Sequence, residues 1–128
     1  MTAAALADAY HRYIACLNER ALQRLGDHVD ADVCYNDARL GLEGYRALLE
    51  DDFRSIPDLR FDVQLLVCEP PRVASRLRFD CTPAGTLFGL AVNGQRVRFS
   101  ENVFYEFSGG RIARVWSIID TRAIAAQL

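Results

Sequence analysis

Arg96–Asp120 reads RVRFSENVFYEFSGGRIARVWSIID, and this stretch decides the fold class. Alternation of apolar and polar side chains marks two strands, Arg96–Phe107 and Arg111–Ile119, and Ser108-Gly109-Gly110 between them is a strong hairpin signal. Working back towards the N-terminus, the same period of two recurs. Leu59, Phe61, Val63, Leu65 and Val67 alternate with Arg60, Asp62 and Gln64; Pro70-Pro71 breaks the run; Val73, Ser75, Leu77, Phe79 and Cys81 then alternate with Arg76, Arg78 and Asp80. A Gly/Pro/Thr-rich connection, Thr82–Gly94, holds a short strand at Thr86–Leu90.

Upstream the period changes to that of a helix. From Thr2 as N-cap, Leu6, Tyr10, Ile14 and Leu17 form one stripe, and a second short helix over Glu19–Leu25 ends at Gly26. Ala31–Asn36 is a short strand. Tyr45, Leu48, Leu49, Phe53 and Ile56 make the apolar face of a third helix that Pro57 stops, and Ala123–Leu128 closes the chain as a short helix. Helices followed by a meandering sheet define an α+β domain, and 128 residues suit a single domain, 1–128. A chain of this size buries roughly two-thirds of its unfolded surface, enough for a core and one pocket.

Composition narrows the function. The net charge of −2 argues against a nucleic-acid partner, and all 15 basic residues are arginine, which excludes a lysine Schiff base. No apolar run is long enough to span a membrane, and the N-terminus is a poor signal peptide. Cys16, Cys34, Cys68 and Cys81 sit in apolar segments, so reduced, structural thiols and a cytoplasmic location are expected. His11 and His28 form no metal-binding spacing, and there is no nucleophile elbow, phosphate-binding loop or dinucleotide fingerprint. Neither a metal nor another cofactor is therefore expected. What remains is acid–base work by carboxylates, or binding alone.

One carboxylate stands out by position. Trp116, Ile118 and Asp120 share a face of the last strand by two-residue alternation, which would desolvate Asp120 and raise its pKa towards that of a general base; alternatively Asp120 leaves the sheet and caps the helix that follows.

Several fragments, in order, carry a resemblance: PDLRF from Pro57, RVASR from Arg72, CTPAG from Cys81, FG from Phe88, VNGQ from Val92, FSGGRI from Phe107 and VWSIID from Val115, preceded by YN at Tyr35 and GLEGYR from Gly41. Together they resemble the SnoaL-like polyketide cyclases (ester cyclases) of the nuclear-transport-factor-2-like, or cystatin-like, α+β fold. The resemblance implies a curved antiparallel or mixed sheet forming a cone, with N-terminal helices packed across it. It further implies a cofactor-free intramolecular aldol ring closure on a polyketide ester, with the aspartate of W-x-x-x-D, here Asp120, as general base. The chain departs from the family where histidines are frequent: Tyr35 and Pro83 stand in their places.

Around Asp120 the expected binding set is Arg76, which orients Asp120 or binds an enolate oxygen, or else is a solvated arginine on the polar row of its strand, Asn36 as a donor to a substrate carbonyl or as part of an Asn-Asp turn, Tyr35, Trp116 on the cavity wall, and Asn102. Asn102 shares the side of Trp116 if the hairpin loop has three residues; a two-residue loop puts Glu101 there instead. The expected function is proton-transfer catalysis on a small hydrophobic carbonyl compound. An isomerase, dehydratase or epoxide hydrolase in the same pocket, or a domain that only binds a small molecule, is the alternative. A homodimer or an assembly of dimers is expected through an outer sheet row of Leu66, Cys68, Ala113, Val115, Ser117 and Ile119; the competing reading turns those rows inward and gives Trp116 to the partner.

Overall fold

The computed structural model describes residues 1–128. The elements run α1 (Ala3–Asn18), a 3-10 segment (Leu22–Asp27), β1 (Val29–Tyr35), β2 (Ala38–Arg39), α2 (Gly41–Ser55), β3 (Asp62–Glu69), β4 (Arg72–Cys81), β5 (Thr86–Leu87), β6 (Leu90–Ala91), β7 (Val97–Ser108), β8 (Arg111–Ile119) and α3 (Thr121–Ala125). Six strands form one sheet in the order β2-β1-β8-β7-β4-β3, with β1 parallel to β8 and every other pair antiparallel; β5 and β6 make a separate ribbon.

The helices begin and end for identifiable reasons. The Thr2 hydroxyl accepts the Ala5 N–H at 3.1 Å and caps α1, whose stripe of Leu6, Tyr10, Tyr13, Ile14 and Leu17 is buried. Its last residue, Asn18, clamps the approach to β3, donating to the Phe61 carbonyl at 2.9 Å and accepting the Phe61 N–H at 2.8 Å. The second predicted helix is a 3-10 segment that starts later, at Leu22. The first strand starts at Val29, earlier than the pattern suggests, because its N-terminal half pairs with β8 through an irregular register, Val29 opposite Ile112 and Cys34 opposite Arg114. The closing helix spans Thr121–Ala125, starting and ending earlier than predicted.

Two bulges decide which way the sheet faces. In β3, Val63 lies opposite Leu77 and Leu65 opposite Arg76, so Gln64 is an extra residue and the alternation inverts there. Leu65 and Val67 then point out, while Leu66 and Cys68 pack on the core. In the β7–β8 hairpin, Gly109 and Gly110 form a two-residue loop, both with φ > 0 as the favoured hairpin turn demands. An extra residue follows, since Phe107 pairs with Ile112 but Glu106 with Arg114, leaving Ala113 unmatched. The bulge undoes the register of the two-residue loop: Asn102 faces Ile118 and Glu101 faces Ile119.

The expected inside and outside rows of β8 are consequently exchanged. Val115, Ser117 and Ile119 look into the concave face, and Val115 is buried. The convex face carries two adjacent cross-strand rows, Leu65–Arg76–Asn102–Ile118 and Val67–Ala74–Phe104–Trp116. No helix is long and apolar enough to cross a membrane.

Candidate active site

Between α2 and the concave side of the sheet lies a cavity of about 120 Å³. Its walls are aromatic and aliphatic: Tyr13 from α1, Tyr35 from β1, Tyr45, Leu48 and Leu49 from α2, and Phe61, Phe79, Phe99, Val103, Tyr105, Val115 and Ile119 from the segments around the sheet. Phe61 meets Phe79 edge-on at 5.5 Å, Phe79 lies 5.1 Å from Phe99, and Phe88, on the turn between β5 and β6, stands edge-on to Phe99 at 6.3 Å. Two carboxyl groups, Asp52 and Glu101, are the only side chains in this lining that carry charge at neutral pH.

Both acids sit where the local pattern puts apolar residues. Asp52 follows Leu48 and Leu49 by one helical turn and precedes Ile56 by another, so it belongs to the buried stripe of α2. Glu101 occupies the inward row of β7 between Phe99 and Val103. Burial, and then the neighbouring charge of Glu101, raises the Asp52 carboxyl to about 6. Burial raises Glu101 as well, opposed by the Ser117 hydroxyl, which donates to its Oε2. Glu101 thus has a partner for its ionised form. Asp52 has none, and its carboxyl stands at about 6.

The tyrosines supply hydroxyls without charge. The Tyr13 and Tyr45 oxygens are 2.7 Å apart, one donating to the other, and the Tyr10 hydroxyl donates to Ser75 at 2.8 Å. Burial pushes Tyr10 up to about 12 and Tyr13 and Tyr45 well above the usual phenol range, so all three stay protonated. No buried side-chain oxygen or nitrogen lacks a hydrogen-bond partner.

Of the residues expected at the site, the structure brings only Tyr35 to the cavity wall. Asp120 is exposed and absent from the lining; its carboxylate accepts the Ala123 N–H at 3.1 Å as the N-cap of α3. Backbone geometry ends the strand at Ile119, and Asp120 turns into the helix. Arg76 and Asn102 lie on the convex face, where Arg76 donates to Gln64 at 3.1 Å and to Asn102 at 3.2 Å. Trp116 is on that face too, its indole N–H donating to Asp37 at 2.9 Å. Asn36 forms the β1–β2 turn with φ +47°, its side-chain oxygen accepting the Ser117 N–H at 2.9 Å. The bulge at Ala113 turns Trp116 to that face, whereas Asn102 follows the alternation of β7, in which Val103 and Tyr105 are buried. What was missed, Asp52 and the inward setting of Glu101, had a signal: each is a carboxylate at an apolar position of its own period.

A one-sided α+β cone that encloses an aromatic cavity with an acid pair, and gathers no group of histidines, cysteines or acids able to hold a metal, defines a class of small cavity-bearing domains. Within it, the chain belongs to the SnoaL-like polyketide cyclase family, whose model matches residues 7–128. It is similar to the crystal structure of a SnoaL-like polyketide cyclase from Agrobacterium tumefaciens, with 47% identity, 99% of this chain and 98% of that one covered, and a TM-score of 0.95. The fold is shared with the putative hydroxylase AclR from Streptomyces galilaeus (23% identity, 98% and 96% covered, TM-score 0.81) and the putative polyketide cyclase IdmH from Streptomyces antibioticus (20% identity, 94% and 96% covered, TM-score 0.82). Among curated proteins, none matches.

Proposed function

We propose that the protein catalyses cofactor-free proton transfer on a small hydrophobic carbonyl compound, of polyketide-cyclase type, with Asp52 as the general base in place of Asp120. One observation carries this reading: the only two chargeable groups in an otherwise apolar and aromatic cavity are Asp52 and Glu101. A carboxylate raised to about 6 accepts a proton far better than an ordinary aspartate while remaining largely ionised at neutral pH. Asp52 removes an α-proton, and the enolate oxygen is met by a tyrosine hydroxyl of the wall, Tyr35 or the Tyr13–Tyr45 pair. The enolate carbon then attacks a second carbonyl of the same molecule; the new alkoxide takes back a proton, and no net charge or electron is exchanged. An acid pair also suits the return of a proton to a different carbon, so an isomerase shares the first step.

The first step is testable without the full substrate. In D2O the protein should load deuterium at the α-carbon of a small cyclic ketone, followed by NMR. Asp52→Asn should lower that rate at least a hundredfold, within the range that general-base catalysis supplies. Unchanged exchange in folded Asp52→Asn removes the proposed base.

The protein assembles as a homodimer through the convex face. Support comes from four large apolar side chains gathered there, Leu65, Val67, Phe104 and Ile118, each between 57% and 74% exposed in the isolated chain. A second copy of the same face is the occupant that matches these four apolar side chains, which stand beside Arg76, hydrogen-bonded to Gln64 and Asn102, and beside Glu106, paired with Arg72 and Arg114.

A further inference from the structure

Ser117 is a polar residue on an apolar row. It lies between Val115 and Ile119 on the inward side of β8, opposite Val103, where the strand period calls for a third apolar side chain. Its hydroxyl donates to the Glu101 Oε2 across the β7–β8 pair. We infer that Ser117 is a positioning residue that keeps Asp52 the more basic of the two cavity acids: by holding the Glu101 carboxylate it makes Glu101 the first to ionise, and it leaves Asp52, for which the structure has no donor, to take the substrate's proton. The substrate's part in this rests on the proton-transfer reading above; the order of the two acids does not.

Without Ser117 the order would be reversed. A glutamate carboxyl ordinarily keeps its proton to a higher pH than an aspartate, 4.5 against 3.8, and burial raises both. One hydrogen bond inverts that order, because a donor fixed in a desolvated wall favours the carboxylate over the neutral acid. The charge then resident on Glu101 acts on Asp52 and adds to the effect of burial.

The Ser117 backbone is itself held from outside the cavity. The Asn36 side-chain oxygen accepts the Ser117 N–H at 2.9 Å, and the Asn36 N–H donates to the Val115 carbonyl at 2.8 Å, so the β1–β2 turn grips β8 on both sides of Trp116. Asn36 thereby serves the site through Ser117. No other charge acts from the lining. Tyr13 of α1, Tyr35 of β1, Tyr45 of α2 and Tyr105 of β7 face the cavity; burial keeps all four protonated, and the rest of the wall is apolar.

NMR titration of the intact protein, read at the side-chain carboxyl carbons, follows each acid separately. In the wild type Glu101 should ionise at lower pH than Asp52; the opposite order overturns the inference before any variant is made. In Ser117→Ala the Glu101 midpoint should move up past that of Asp52, and the Asp52 midpoint should fall as the neighbouring charge is lost. Ser117→Thr, which keeps a hydroxyl, should keep the wild-type order. Unmoved midpoints in folded Ser117→Ala, or the same change in Ser117→Thr, count against the inference. Uptake of α-deuterium into a small cyclic ketone gives a second readout. Its rate should follow the Asp52 titration, so the pH of half-maximal rate falls in Ser117→Ala; a rate lowered at every pH with that midpoint unmoved would mean that Ser117 acts through packing alone, and overturns the inference. The proton-transfer reading fails separately: a wild type with the expected order of ionisation but no deuterium uptake removes the catalysis and leaves the hold of Ser117 on that order intact.

Discussion

Asp52 is the residue whose protonation ties stability to the proposed chemistry. Its carboxyl moves from an ordinary 3.8 in the unfolded chain to about 6 in the fold. Below the lower value both states hold the proton and the group is neutral to stability. Between the two values the folded state binds a proton that the unfolded state has released, so rising pH destabilises the fold, and above about 6 the full penalty remains. Asp52→Asn should therefore stabilise the protein by on the order of 2–3 kcal/mol at pH 7.5 and by almost nothing at pH 4, measured by urea unfolding of both proteins at each pH. An equal gain at both pH values would show that Asp52 titrates normally. Asp120 belongs to the same scale with the opposite expectation. As a helix N-cap it contributes about 1 kcal/mol, so Asp120→Ala should lower stability by that amount and leave ketone exchange in place. Loss of exchange in folded Asp120→Ala would return to Asp120 the role that the W-x-x-x-D motif gives it.

At the scale of the element, β8 is the strand whose two faces are hardest to tell apart. Val115 and Ile119 on one side and Trp116 and Ile118 on the other are all apolar, and alternation alone assigns neither side to the core. The extra residue Ala113 resolves it by setting Val115 opposite Tyr105 and Ile118 opposite Asn102. Val115 is 2% exposed and Ile118 74%. Val115→Arg should unfold the subunit, because the buried site has no room for the longer side chain and desolvates its charge. Ile118→Arg should leave the circular dichroism spectrum and the urea midpoint of the subunit essentially unchanged. The reverse pattern would mean that the hairpin pairs without its bulge. For α1, α2, β4 and β7 the pattern was plainly legible: the stripe of α2, the Thr2 cap and the alternation of β4 and β7 all appear where local spacing puts them. β3 was legible only up to Gln64, where one unmatched residue inverts everything after it.

For the whole molecule, the proposed assembly rests on the convex face. Its two rows cross β3, β4, β7 and β8, and burying several hundred Å² of such surface at ~25 cal/mol per Å² offsets a substantial part of the association cost. Light scattering at micromolar concentration should give twice the mass of the chain, and Ile118→Arg should halve it without unfolding. A wild-type protein that stays monomeric would mean that water alone covers Phe104 and Ile118 adequately.

The order of helices and strands, the α+β class and the family were determined by the sequence itself, because each rests on spacing or motif within a few residues along the chain. Even the acids of the cavity left a local trace, Asp52 in a helical stripe and Glu101 in an inward strand row. Tertiary structure alone decided that these two line one cavity, that Asp120 does not join them, and that Arg76, Asn102 and Trp116 face away from the cavity. The physical reason is the same in each case. A strand's facing depends on bulges that pairing with a neighbour creates, and a carboxyl becomes a base only through desolvation by walls that distant elements bring to it.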